Sequence, residues 1–337
     1  MMRRGQRGFV LVLTLWILAA IMIAASYFAD RVQKSLQLAQ MRQGLNDKQI
    51  DLSNMRAEIL FRVSTNYLSQ YGMGPQGAAI ALDDRPYRGE ASTVQLLDAR
   101  GLLNLQIASD EQLFRFLGAM NVPADQRAHL IDTLHDYMDQ DDLRRLNGAE
   151  AKEYAEKGLP PPRNGPLISP MELKNVIGWS DTKALWEPIP VTELTTTGAV
   201  TAINPNTASA QVLMALPGIT PEIAQAIIAR RKLEPVTVPL VSQMAGVELQ
   251  QLPPQVIAYP SESIRVTQRA NGLPWSIRYN IQLTPQSTTS PWQITYFYRL
   301  EEKADPVRGA NPSTPADIPK LPPRSALPAT PTDVLSF

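Results

Sequence analysis

Between Gly8 and Asp30 the chain runs FVLVLTLWILAAIMIAASYFA, Phe9 to Ala29, without a charged residue. As a helix this span is roughly 31 Å long. The hydrocarbon core of a bilayer is about 30 Å thick. Arg3, Arg4 and Arg7 precede it. Basic residues hold their flank in the cytoplasm, so everything beyond Asp30 is expected outside it. A secretory signal would have a shorter apolar region and a small-residue cleavage site, for which Ala24 and Ser26 are candidates. An uncut anchor fits the same residues.

The apolar pattern continues past Asp30 as a stripe. Leu38, Met41, Leu45, Leu52, Met55, Ile59 and Val63 recur at helical spacing, with Arg42, Asp47, Lys48 and Glu58 between them. Gly72, Gly74 and Pro75 break it. The spacing predicts one helix from Phe9 to about Tyr71: a membrane span over 9–29 and an amphipathic continuation over 30–71. Residues 75–91 read as loop with some helix. Ser92–Leu97 reads as a strand ending in the turn Asp98-Ala-Arg-Gly101.

From Ser109 to Pro260 the pattern is helical. Ser109 and Asp110 are cap candidates, Pro123 opens a second segment, and Ser169-Pro170 a capped third. Alternation then returns in Ile264–Thr267, Trp275–Leu283 and Trp292–Leu300, an antiparallel meander. Residues 303–337 are rich in proline and bury little; they are expected to be disordered. Strands on both sides of a helical block mean that the block, 105–260, is inserted into a sheet domain made of 72–104 and 261–302.

The chain has 337 residues, with 32 basic and 32 acidic ones and no cysteine. Zero net charge gives no global pull towards nucleic acid, and disulfides and thiolate chemistry are excluded. Leu216-Pro-Gly-Ile-Thr220 is the turn of a helix–hairpin–helix unit, whose exposed N–H groups bind a DNA phosphate in some proteins. Its cations Arg230, Arg231 and Lys232 stand at the far end of the second helix, and Glu222 sits beside the turn. A compact packing unit is favoured, with a membrane-anchored DNA-binding protein as the alternative. His129 and His135 do not share a helix face as a zinc pair must. Ser180-Asp-Thr-Lys183 matches an S-x-x-K pattern without its companion motifs. No enzyme is expected.

Basic residues, Gly8 and Phe9 at the head of a charge-free helix resemble the signal of type IV pilins and type II secretion pseudopilins. The resemblance implies that a prepilin peptidase cuts after Gly8, removing 1–8, and that Phe9 is then N-methylated. Most of those proteins carry Glu at the fifth mature position, where this chain has Leu13. A carboxylate there is thought to pair with a neighbouring subunit's amine; a tip subunit lacks that neighbour. With Asp98-Ala-Arg-Gly101, Asn104, Asp139-Gln-Asp141, Gly148-Ala-Glu150, Tyr154 and Ile203-Asn-Pro-Asn-Thr-Ala208, the chain resembles the K family of minor pseudopilins over nearly its whole length.

That resemblance implies an α+β, type IV pilin-like fold. A long N-terminal transmembrane helix packs on an antiparallel sheet, and a large inserted all-α domain carries sterile-alpha-motif-like and helix–hairpin–helix-like units. It implies a single-pass protein of the bacterial inner membrane with most of its chain in the periplasm. The implied role is a pseudopilus tip, in complex with minor pseudopilins of the I, J and H types above a major pseudopilin of the G type. Asp136, Asp139, Asp141, Asp142 and Glu150 supply the hard oxygens that calcium takes, though not at EF-hand spacing. A solvated acidic helix end offset by Arg144 and Arg145 is the other reading; the resemblance favours calcium.

Overall fold

The computed structural model describes residues 7–249, 254–301 and 318–323, with side chains from Val10 onward. The chain forms two compact units, Met1–Asn54 and Met55–Phe337. The first consists of helix α1 (Arg7–Thr65) up to residue 54. It contains the one helix among the described residues that is long and apolar enough to cross a membrane. Its apolar side chains, Leu11, Trp16, Ile23 and Phe28 among them, are exposed.

The helix ends at Thr65, short of the expected Tyr71. Asn66 stops it by donating from both its backbone N and its side-chain Nδ2 to the Arg62 carbonyl, at 3.0 and 2.8 Å. Residues 68–69 and 72–73 then pair as a tight hairpin, with Gly72 at φ +122°.

In the second unit, five strands form one antiparallel sheet in chain order: β1 (Asp83–Arg88), β2 (Ser92–Asp98), β3 (Ser263–Ala270), β4 (Trp275–Leu283) and β5 (Trp292–Glu301). The meander is as the alternation predicts. Strand β1 is not: residues 83–88 fall in the stretch read as loop. Asp83-Asp-Arg-Pro-Tyr-Arg has no apolar alternation, and Pro86 is tolerated because β1 lies at the end of the sheet. Alternation gives the sheet two faces. One carries Val94, Leu96, Val266, Tyr279 and Ile281, in register across β2, β3 and β4. The last turns of α1 cover it with buried Ile59 and Val63, and Arg56 lies 5.8 Å over the Phe297 ring. The other face carries Thr267, Arg265, Arg278 and Asn280.

Residues 99–262 leave the sheet where β2 ends and return where β3 begins. Within them α2 (Asp110–Ala119), α3 (Ala124–Met138), α4 (Ala151–Glu156), α5 (Ala210–Leu213), α6 (Pro221–Arg231) and α7 (Val238–Ala245) surround a core of their own. Ser109 and Gln112 close a reciprocal capping box on α2. Ser169-Pro170 opens only a 3-10 segment, Pro170–Asn175, without a side-chain cap. Trp179 fills the centre, and its Nε1 donates to the Leu130 carbonyl at 2.8 Å.

Of the stretch expected to be disordered, 303–317 and 324–337 lie outside the described residues. Lys320 pairs with Arg88, the last residue of β1.

Candidate functional site

Helix α3 ends at Met138, and the chain loops back to start α4 after Glu150. This return brings the last turn of α3 and the first residue before α4 together, and with them the acidic residues singled out from the sequence. Asp136 has no exposed surface, and Glu150 is 5% exposed. Asp139 is half-buried, while Asp141 and Asp142 are exposed. The Asp136 carboxylate accepts from Arg145 N at 3.3 and 3.2 Å, and the Arg145 guanidinium lies 3.7 Å away. Gly148 makes room for it, since a Cβ there would stand 1.9 Å from Asp136 Oδ2. Asp141 caps Leu143 N at 2.8 Å, and Asn164 Nδ2 donates to Asp142 at 3.3 Å.

Glu150 is different. Glu150 N donates to Glu153 Oε2 at 2.9 Å in a capping-box arrangement that turns the Glu150 carboxylate towards Glu153 N, but neither buried carboxylate oxygen makes a full hydrogen bond, and nor does Oδ1 of Asp139. Burial pushes the Glu150 carboxyl up to about 7, and repulsion from Asp136, Asp139, Asp142 and Asp141 adds to it. The Asp136 and Asp139 carboxyls are also raised, burial first. The five candidates therefore share one electrostatic neighbourhood. A buried carboxylate without a donor, among like charges, lacks a positive partner. Among the described residues, however, no three acidic or histidine side chains converge tightly enough to enclose an ion. The donor type and charge suit a hard divalent cation; a ligand cage requires the exposed loop 139–147 to close on Glu150.

The remaining motifs are absorbed by packing. In the 216–220 turn Gly218 has φ +71°, and a Cβ there would meet Ala245 O at 2.3 Å. Arg231 Nη1 donates to the carbonyls of Pro205 and Ala208 at 2.9 and 2.6 Å, and Arg230 pairs with Glu234. These arginines hold the helical unit together instead of framing a phosphate. His135 pairs with Asp110 at 2.8 Å, and His129 meets the Asn147 carbonyl at 2.6 Å. Ser180 Oγ donates to Asp181 at 3.1 Å, and Lys183 lies 3.3 Å from Glu187, so neither serves the other. Gly8 and Phe9 are helical in backbone, and Leu13 sits exposed one turn on.

Two further constellations received no role from the sequence. Asp98, fully buried, accepts from Arg100 N (3.1 Å), Ser261 N (2.8 Å), Ser261 Oγ (2.7 Å), Asn204 Nδ2 (2.8 Å) and Thr207 Oγ1 (3.3 Å). It ties both ends of the insertion and its 203–208 loop to the end of β2. Arg278 grips Glu193 through two 2.7 Å bonds, and Arg265 Nη1 donates to the Glu193 carbonyl at 2.7 Å. This pins the insertion to the polar sheet face. For the first, the sequence signal was the pair of quoted motifs 98–101 and 203–208, whose meeting it does not show; for the second it was only a charge inside a strand.

Two family models, both described as type II secretion system protein K, match residues 95–185 and 203–254. The first stretch contains the acidic cluster and the second the 216–220 turn. A chain of the crystallised GspK-GspI-GspJ complex from the type 2 secretion system of enterotoxigenic Escherichia coli is similar with a TM-score of 0.54 and 17% identity. The similarity covers 78% of this chain and 99% of that one. No curated protein matches the sequence. The fold is thus pilin-like, with a long N-terminal apolar helix, an antiparallel sheet and an inserted helical domain. The two family matches and the structural similarity support a minor pseudopilin of the K type.

Proposed function

We propose that this chain is a non-enzymatic minor pseudopilin that caps the tip of the type II secretion pseudopilus. There it joins minor pseudopilins of the I, J and H types, starts assembly of the G-type shaft, and so supports secretion across the outer membrane. A prepilin peptidase would first cut between Gly8 and Phe9, leaving an N-methylated Phe9. The helix from Phe9 then anchors the chain once in the inner membrane, with the bulk in the periplasm. No nucleic acid is a partner in this reading. The observation that carries it is the pair of protein K matches on a pilin-like fold. Leu13 supports the tip position: a buried carboxylate at that depth is costly without a partner, and the span from Phe9 to Ala29 carries none.

Calcium belongs to the same reading. Asp139 and Glu150 would hold it, with Asp136, Asp141 and Asp142 contributing charge or further oxygens. Bound there, it supplies the positive partner that the buried Glu150 oxygens lack and closes the α3–α4 loop. Co-purification of the full chain with I- and J-type pseudopilins, and the mass of its N-terminus, test the assembly reading. A mature chain that starts elsewhere than Phe9, or a monomer indifferent to both partners, would count decisively against it.

A further inference from the structure

Strand β1 is an end strand of the sheet, yet its outer edge is not bare. Arg88 N donates to the Pro319 carbonyl at 2.8 Å, and Leu321 N donates to the Arg88 carbonyl at 3.1 Å. Lys320 thereby stands opposite Arg88 in a parallel pairing. One residue on, the Pro322 carbonyl accepts from Arg62 Nη2 at 2.8 Å. Arg62 is 7% exposed, with its Nε on Glu58 at 2.7 Å, so this carbonyl completes a buried guanidinium at the end of α1.

The sequence Ile318-Pro-Lys-Leu-Pro-Pro323 fits this demand position by position. Residue 319 gives its carbonyl to β1 and residue 322 gives its carbonyl to Arg62, and both are proline, which has no N–H to offer. Residue 321 must give an N–H, and it is leucine. On the solvent side the segment shows Lys320 and Pro323, both exposed, the residue types that stop further strands from adding to an edge. A proline-rich stretch that merely filled space would not place its one required donor between two prolines.

We propose that the outer edge of β1, together with Arg62, is an acceptor surface for an extended proline-containing strand. Residues 318–322 of the same chain are its resident occupant, a displaceable clasp that guards the edge. The occupant comes from the same copy because the reach allows it. Five interstrand steps separate β5 from the clasp, roughly 24 Å. The chain from 302 to 317 can span up to about 50 Å. Few bonds hold the clasp and it buries no large side chain, so it exchanges more easily than the sheet it protects. An incoming strand from a partner would use the same donor and acceptor of Arg88.

The test keeps the full chain folded in detergent and then cuts it at a protease site introduced between residues 302 and 317. Before cutting, the Arg88 amide exchanges slowly and a fluorescent Ile-Pro-Lys-Leu-Pro-Pro peptide does not bind. After cutting and dilution, exchange at Arg88 rises by at least roughly tenfold; the peptide now binds and slows it again, and its Leu321→Pro version does not bind. Unchanged exchange after the cut, or equal binding of the two peptides, overturns the proposal. The absence of cysteine allows a clean second measurement on uncut chain carrying Arg88→Cys and Lys320→Cys. A thiol cross-link within one chain is expected; a linked dimer assigns the occupant to a second copy, and no link at all removes the clasp.

Discussion

Replacing Glu150 by glutamine removes the least compensated charge in the insertion, and the direction of the effect depends on pH. An unfolded glutamate titrates near 4.5, and Glu150 in the folded chain near about 7. Between those values the folded state holds a proton that the unfolded state has released. Stability therefore falls as pH rises through this window, and the full loss is present above it. The gap of about 2.5 in pKa, at ~1.4 kcal/mol for each pH unit, sets a ceiling of about 3 kcal/mol. Asp136 and Asp139 are raised in the same direction, so the cluster titrates together and the ceiling is shared.

Glu150→Gln should then stabilise the calcium-free chain at pH 8 by up to about 3 kcal/mol and change it little at pH 5. Calcium should do for the natural chain what glutamine does for the variant. At a hundredfold excess over its dissociation constant it adds about 2.7 kcal/mol, and that gain vanishes in the variant. Urea unfolding of the full chain in detergent, followed by tryptophan fluorescence with calcium or chelator, reads all four conditions. An equal shift at pH 5 and pH 8, or a less stable variant at pH 8, refutes the claim that Glu150 is a buried, unpartnered carboxylate.

The other expectations concern the supports of that cluster and of the insertion. Gly148→Ala puts a Cβ against Asp136 Oδ2, so it should lower stability and abolish any calcium-induced shift in the same urea experiment. Asp98→Ala strands the N–H groups of Arg100 and Ser261 and the amide of Asn204; a loss of roughly 3 kcal/mol or more is expected in chemical denaturation. Glu193→Gln leaves the buried Arg278 short of its counter-charge, and a drop of roughly 3 kcal/mol should appear as a lower urea midpoint. Gly218→Ala adds a Cβ at positive φ against the Ala245 carbonyl and should cost about 2 kcal/mol, with no change in the exchange of strand β3 amides.

The helical stripe through Ile59 and Val63 and the alternation of β3 to β5 were legible because each buries one face, and burial writes its period into the residues. Strand β1 was not, since Asp83, Asp84 and Arg85 lie at the end of the sheet, where pairing is made by backbone and leaves no apolar alternation. The Asn66 stop was missed for a related reason: Gly72 and Gly74 advertise a turn, but a side chain closing on the Arg62 carbonyl leaves no periodic trace. The acidic cluster could be read as composition. That Asp136 and Glu150 are its buried members depends on the α3–α4 return, which no local pattern specifies. Residues 318–323 looked like the rest of a proline-rich tail because proline content measures what a segment cannot donate, not what it can accept.

The position of the insertion follows from the sheet itself. Asp98 and Ile264 are register partners in an antiparallel pair, so 99–262 occupies the place of a hairpin turn between β2 and β3. A turn can be lengthened without disturbing the ladder if its two ends stay together, because loop entropy grows only slowly with length. Asp98 supplies that condition. One carboxylate accepts from Arg100 on the way out and from Ser261 on the way back, so the exit and entry points are bonded whatever lies between them. Asn204 adds a third tie from the middle of the insertion to the same carboxylate. Removing Asp98 should therefore loosen the insertion before it melts the sheet. Hydrogen exchange would show this as early opening at Arg100, Asn204 and Ser261 while the β3–β4 ladder stays protected; simultaneous loss at all of them would mean that sheet and insertion fold as one.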